Sequence, residues 1–149
     1  MRRADKPGRN DSAFGTCMED INPAELGEPR GWTNGIVVPA AGRLLFIAGQ
    51  TGVDATGPAA AADFTAQFDR ALAKTVTVLR AAGGATEHVA RMTVYVADLD
   101  AYRAARSGLR AIWQARMGQR YPAMTLVEVS RLLDGALVEI ETTAVLPPP

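Results

Sequence analysis

The sequence predicts an α+β domain, a mostly antiparallel sheet with two helices on one face, and three observations carry that expectation. First, period-2 and period-3.6 apolar patterns alternate along the chain in the order β-β-α-β-α-β-β. Second, only two of these segments are helical, too few to cover both faces of a sheet. Third, Leu44-Leu45-Phe46-Ile47-Ala48-Gly49 puts Leu44, Phe46 and Ala48 on one pleat face and Leu45, Ile47 and Gly49 on the other, so both faces are apolar. The face away from the helices needs cover from another chain, which predicts an oligomer.

Residues 1–30 hold Pro7, Gly8, Gly15, Pro23, Gly27 and Pro29 among scattered charges with no sustained period, and read as a flexible arm before a single domain of residues 31–146. Ordered structure is expected from near Trp32. Gly35-Ile36-Val37-Val38 and residues 43–50 read as a hairpin about Pro39-Ala40-Ala41-Gly42, with a turn to follow at residues 54–58. Asp63 is the expected N-cap of a helix running to about Ala82. Its stripe is Phe64, Phe68, Leu72, Val76 and Leu79, and Gly83-Gly84 ends it. One turn at residues 86–89 precedes a strand of residues 91–97 that carries Met92, Val94 and Val96 on one face. Asp98 or Asp100 then caps a second helix with the stripe Tyr102, Ala105, Leu109, Ile112 and Trp113, closed by Gly118. Residues 124–129 and 137–145 alternate on either side of Leu132-Leu133-Asp134-Gly135. Because Asp-Gly is a strong turn signal, this stretch reads as a closing hairpin.

The chain has 149 residues, 48% of them hydrophobic, enough for one sizeable core. Sixteen basic and sixteen acidic residues cancel, which argues against a large electrostatic footprint for nucleic acid or an anionic membrane. Cys17 is the only cysteine, so no intrachain disulfide can form, and a cytoplasmic protein is the default expectation. The basic start Met1-Arg2-Arg3 is not followed by a signal-length apolar run, and no membrane-spanning segment is expected.

Glu139 and Glu141 sit two apart on the last strand and share a face, with Val138 and Ile140 on the other. A carboxylate so placed is a candidate general base or water-positioning group, its ordinary alternative being a solvated glutamate. Gln50 can approach a ligand, or Gly49-Gln50 can simply mark a tight strand exit. Arg103, Arg106, Arg110 and Arg116 make one basic helix, commonly a solvated face. His88 has no second ligand nearby, so no metal site is expected. Ser107, Thr125 and Ser130 have no histidine partner in sequence, and Cys17 lies in the arm, so covalent catalysis is not indicated. Gly83-Gly84 follows a helix rather than opening one, and no cofactor is expected.

Phe46-Ile47-Ala48-Gly49-Gln50, Ala81-Ala82-Gly83, Met92-Thr93-Val94-Tyr95-Val96, Tyr121-Pro122-Ala123 and Val138-Glu139-Ile140-Glu141 together resemble the RidA family, also called YjgF, over residues 32–145. The resemblance implies a chorismate-mutase-like fold, a homotrimer whose sheets enclose a central barrel, and pockets for a small metabolite between subunits. It further implies hydrolysis of reactive enamines and imines to keto acids and ammonia. Carried over residue by residue, Glu139 matches the carboxylate that holds or activates water. Met124 stands where the deaminases have the arginine that clamps the substrate carboxylate, with Thr125 and Leu126 following it on a strand whose backbone would hold substrate. Ala48 stands where serine is frequent, Trp32 at an early pocket aromatic, and Arg106 where an asparagine is frequent on the second helix. On a helical wheel Arg106 falls at the edge of the second helix's apolar stripe, where it either supplies a displaced anion site or pairs with an acid of a neighbouring subunit. The expectation is a divergent imine hydrolase for a substrate other than the short imino acids. The alternatives are a non-catalytic ligand-binding or regulatory trimer and, more weakly, an RNA-directed activity.

Overall fold

The structure is a computed structural model that describes residues 18–53 and 63–149. Its strands are β1 (Glu19–Ile21), β2 (Gly35–Val37), β3 (Arg43–Thr51), β4 (Val89–Val96), β5 (Ala123–Glu128) and β6 (Val138–Leu146), and its helices are α1 (Phe64–Ala81) and α2 (Leu99–Met117). From β2 onward the order is the expected β-β-α-β-α-β-β. The main sheet runs β3-β6-β4-β5, antiparallel at β3/β6 and β6/β4 and parallel at β4/β5.

Asp63 caps α1 by accepting a hydrogen bond from Ala66 N at 2.8 Å. The other end is a Schellman motif: Gly84 N bonds Leu79 O and Gly83 N bonds Arg80 O, each at 2.9 Å, with Gly83 at φ 79°. Between the caps the whole expected stripe is buried, and Leu72 and Leu79 are sealed completely. Asp98 caps α2 through Asp100 N and Ala101 N. Glu128 at the end of β5 adds a carboxylate contact to Leu99 N at 2.8 Å, the favoured charge at a helix N-terminus. Arg116 of α2 grips Asp69 of α1 with two hydrogen bonds and locks the helix pair.

Both expected hairpins are corrected. The turn at Pro39-Ala40-Ala41-Gly42 forms, with Gly42 N bonding Pro39 O, but β2 pairs with β1, not with β3. Among the described residues regular structure therefore begins at Glu19 rather than near Trp32. Asp20 at this position is paired with Arg120 Nη2 at 2.6 Å. The closing hairpin also does not form. Asp134 (φ 55°) and Gly135 (φ 70°) adopt the left-handed conformation that the Asp-Gly signal requires, yet β5 stops at Glu128 and β6 starts at Val138, too far apart for a tight turn to pair them. Instead β6 inserts between β3 and β4. The connecting residues clasp the end of β4 through Val129 N to Val96 O and Ala97 N to Leu137 O. Helix α2 is the crossover that a parallel β4/β5 pair demands. Buried Gln67 of α1 accepts from Leu137 N at 2.9 Å and fixes the entry to β6, a tie that no apolar pattern announced.

The core lies between the helices and one sheet face, where Ile47, Met92, Val94, Val138 and Ile140 are almost fully buried. Among the described residues no helix lies over the opposite face. Leu44 and Phe46 are 61% and 74% exposed there, as the two-sided strand predicted. The turn expected at residues 54–58 and Cys17 lie outside the described residues. Among the described residues no helix is long and apolar enough to cross a membrane.

Candidate active site

Residues 31–33 run beside β5. Thr33 N bonds Pro122 O at 2.9 Å, Thr33 Oγ1 bonds Tyr121 O at 2.7 Å, and Thr33 bridges Ala123 in parallel. Asn34 joins this segment to Asn22 and accepts the Trp32 indole hydrogen. The result holds Trp32 at the mouth of a cavity of about 580 Å³ between α2, β4 and β5, a size suited to a small organic ligand. Met124 and Leu126 of β5 form its floor with Val94, and Arg106 of α2 stands on its wall. Four of the eight candidate residues, Trp32, Arg106, Met124 and Leu126, thus meet in one cavity.

Sequence reasoning missed other parts of that wall. Arg30 and Arg110 line it, as do Tyr102, Trp113 and Tyr121. Trp113 and Tyr121 stack at 4.8 Å between ring centroids, and Trp113 Nε1 donates to Arg120 O. The helical spacing of Tyr102, Leu109 and Trp113 signalled an apolar stripe. Arg110 carried a signal too, lying one turn after Arg106, but unlike Arg106 it is assigned only to a solvated basic face by the sequence.

The remaining candidates lie elsewhere. Alternation along β5 turns Thr125 to the uncovered face of the sheet. On β6 it turns Glu139, which is half-buried, to that same face. Glu139 lies over Gly49, where β3 changes register against β6 between Ile47/Thr142 and Gln50/Ile140, a bulge at Ala48 and Gly49. Ala48 is exposed, and Gln50 folds back to donate to Ala48 O at 3.0 Å. Beside Glu139 in register is Tyr95, whose hydroxyl donates to Glu141 at 3.0 Å. That bond to a carboxylate, more than burial, pushes the phenol above its ordinary pKa. Within one chain the carboxylate group and the cavity group therefore occupy opposite faces of the sheet. Among the described residues no cluster of three His, Cys, Asp or Glu side chains suits a metal ion.

Comparisons with known proteins agree with this architecture. The family model described as endoribonuclease L-PSP matches residues 29–146. A RutC family protein of Pyrococcus horikoshii is 35% identical over 105 residues, 70% of this chain and 80% of the relative. A protein of Salmonella typhimurium named 2-iminobutanoate/2-iminopropanoate deaminase is 31% identical over 104 residues, again 70% and 80% of the two chains. Among solved structures, a conserved Rid family protein, YyfB of Yersinia pestis, superposes with a TM-score of 0.72 at 32% identity, covering 87% of this chain and 98% of its own. Fold, motif order and relatives converge, and the chain belongs to the RidA (YjgF) family.

Proposed function

We infer that the protein is a divergent enamine/imine hydrolase whose site is completed between copies of the chain in a homotrimer. The observation that carries this reading is Glu139, a half-buried carboxylate seated over Gly49 on the uncovered sheet face, in a chain with relatives named for imine deamination. Packing that face against a neighbour would remove Glu139 from bulk water and bring it to a pocket that one chain does not close. There Glu139 takes a proton from a water molecule as its oxygen adds to the C=N carbon. The imine nitrogen is protonated, and the carbinolamine collapses to a carbonyl compound and ammonia. Backbone groups of the β5 strand hold the substrate, and no cofactor enters the scheme.

Met124 in place of a clamping arginine removes a charge-assisted hydrogen bond to a substrate carboxylate, so short imino acids are poor substrates on this reading. The same substitution favours a second reading, a trimer that binds a metabolite without turnover. The endoribonuclease of the family description is the weaker alternative, because the net charge is zero and the one histidine, His88, spends Nδ1 on Ala85 N. The deciding experiment measures ammonia release from imines generated in situ, wild type against Glu139→Gln. Loss of about a hundredfold or more on substitution supports the hydrolase. Binding without any turnover by the wild type supports the second reading.

A further inference from the structure

The cavity between α2 and β5 has an electrostatic character that the chain as a whole lacks. Arg30, Arg106 and Arg110 are among its thirteen lining residues and no aspartate or glutamate is, although acids and bases balance at sixteen each over the sequence. On the same helix Arg103 is paired with Asp100 and Arg116 with Asp69, whereas Arg106 and Arg110 have no carboxylate partner among the described residues. They stand at i and i+4, where like charges repel. An anion between them would relieve that repulsion.

The apolar part of the wall is equally selective. Five of the chain's nine aromatic residues line the cavity, including both tryptophans. Trp113 and Tyr121 form a rigid stack there, and Trp32 at the mouth is 44% exposed, an amphipathic ring facing the opening. A bare inorganic anion would use the arginines and leave these rings idle. An aliphatic ligand of three or four carbons would leave most of about 580 Å³ unfilled.

We propose that this cavity takes a planar aromatic ring carrying a single carboxylate, with Arg106 and Arg110 holding the anion and the aromatic wall holding the ring. This deepens the functional proposal above and rests on its shared-site reading, with this cavity as the pocket to which a neighbouring copy brings its own carboxylate. For the hydrolase it names the substrate as an aryl-bearing 2-imino acid and the product as its 2-keto acid. The reaction that supplies the substrate is then the two-electron oxidation of an aromatic amino acid to its imine by an amino-acid oxidase or dehydrogenase, which keeps the nitrogen that hydrolysis later releases as ammonia.

The test is isothermal titration calorimetry with the full chain and four probes. Phenylpyruvate has ring and carboxylate, pyruvate lacks the ring, phenylacetamide lacks the charge, and adenosine monophosphate offers a ring with phosphate. Phenylpyruvate should bind at least about tenfold tighter than each of the others. The double variant Arg106→Ala/Arg110→Ala should weaken it by roughly ten- to a hundredfold, the loss expected for charge-assisted hydrogen bonds. Arg103→Ala, outside the cavity and already paired, should leave affinity unchanged. Circular dichroism of each variant separates lost binding from lost folding. Equal affinity for pyruvate or phenylacetamide, tighter binding of the nucleotide, no binding of phenylpyruvate, or indifference to the double substitution would overturn the proposal. Ammonia release is measured separately. Phenylpyruvate binding that depends on the arginines, without turnover of any imine, keeps the ligand class and removes the hydrolase. Turnover of short aliphatic imines with no aromatic preference does the reverse.

Discussion

The carboxylate of Glu139 fills the space over Gly49: a Cβ on Gly49 would stand 2.7 Å from Glu139 Cδ and collide with Oε1. Gly49 is therefore tied to where the carboxylate sits, and its backbone needs no left-handed conformation. Gly49→Ala should displace the flexible Glu139 side chain at a stability cost below about 1 kcal/mol. If Glu139 orients water, imine hydrolysis by this variant falls about tenfold or more with an almost unchanged melting temperature. An unaltered rate would show that the placement of Glu139 over Gly49 does not matter.

That glycine was legible in the sequence only as a strand exit, and the difference shows which information a linear pattern holds. The stripe Phe64 to Leu79 and the cap Asp63 concern residues near in sequence, so α1 was readable to within a residue. Alternation told that Glu139 and Ile140 face opposite ways. It did not tell which strands flank them, because pleat period fixes a face and not a neighbour. The Asp134-Gly135 signal marks a turn, and both residues do take positive φ, but a turn signal does not establish that the strands on either side of it pair. For the cavity, the family motifs reached Trp32, Arg106, Met124 and Leu126. Arg30 comes from a segment whose place depends on Thr33 bonding to residues 121 and 122, a contact across 88 positions. Nothing local announces it.

The Asp69–Arg116 pair gives a pH test. Hydrogen bonds from Arg116, aided by its charge and opposed by partial desolvation, hold the Asp69 carboxyl below its ordinary pKa, and Arg116 is raised in turn. A depressed folded pKa contributes stability above the unfolded value of about 3.9, which is lost as pH falls through the folded value. Both side chains are more than a third exposed, so solvent screening limits the contribution to about 0.5–1 kcal/mol. Urea unfolding should find Asp69→Asn less stable than wild type by that amount at pH 7, with the gap narrowing below about pH 4. A gap of equal size at pH 7 and pH 3 would exclude the ion pair as its source.

The uncovered sheet face makes assembly testable. Leu44 and Phe46 present large apolar groups beside each other's strand positions with nothing of the described chain above them. Light scattering should give a trimer mass at micromolar concentration. Phe46→Glu puts a charge on that face, on the edge strand β3, and should shift the mass towards monomer, while far-ultraviolet circular dichroism keeps its helical signal because Phe46 is outside the core. A wild-type monomer would remove the shared-site proposal altogether.

The last expectation concerns Met124. It is half-buried, pairs in register with Met92, and lies on the cavity floor opposite Arg106. A thioether offers no hydrogen bond to a carboxylate, and a charge-assisted bond commonly contributes about 1.5–3 kcal/mol. Met124→Arg should therefore raise activity on short-chain imino acids by roughly ten- to a hundredfold. It also adds a fourth cation to a wall that carries three and no carboxylate, so a modest fall in melting temperature at low ionic strength should accompany the gain and shrink with added salt. Combining it with Arg106→Ala separates two roles for Arg106. If Arg106 already serves as the anion site, the double variant keeps the new activity on short substrates and loses affinity for aromatic ones. If Arg106 only crowds the cavity with charge, the double variant is more stable than Met124→Arg alone and binds both classes as well as that variant does. Wild-type activity on short imino acids already equal to that of Met124→Arg would show that the missing arginine carries no cost here.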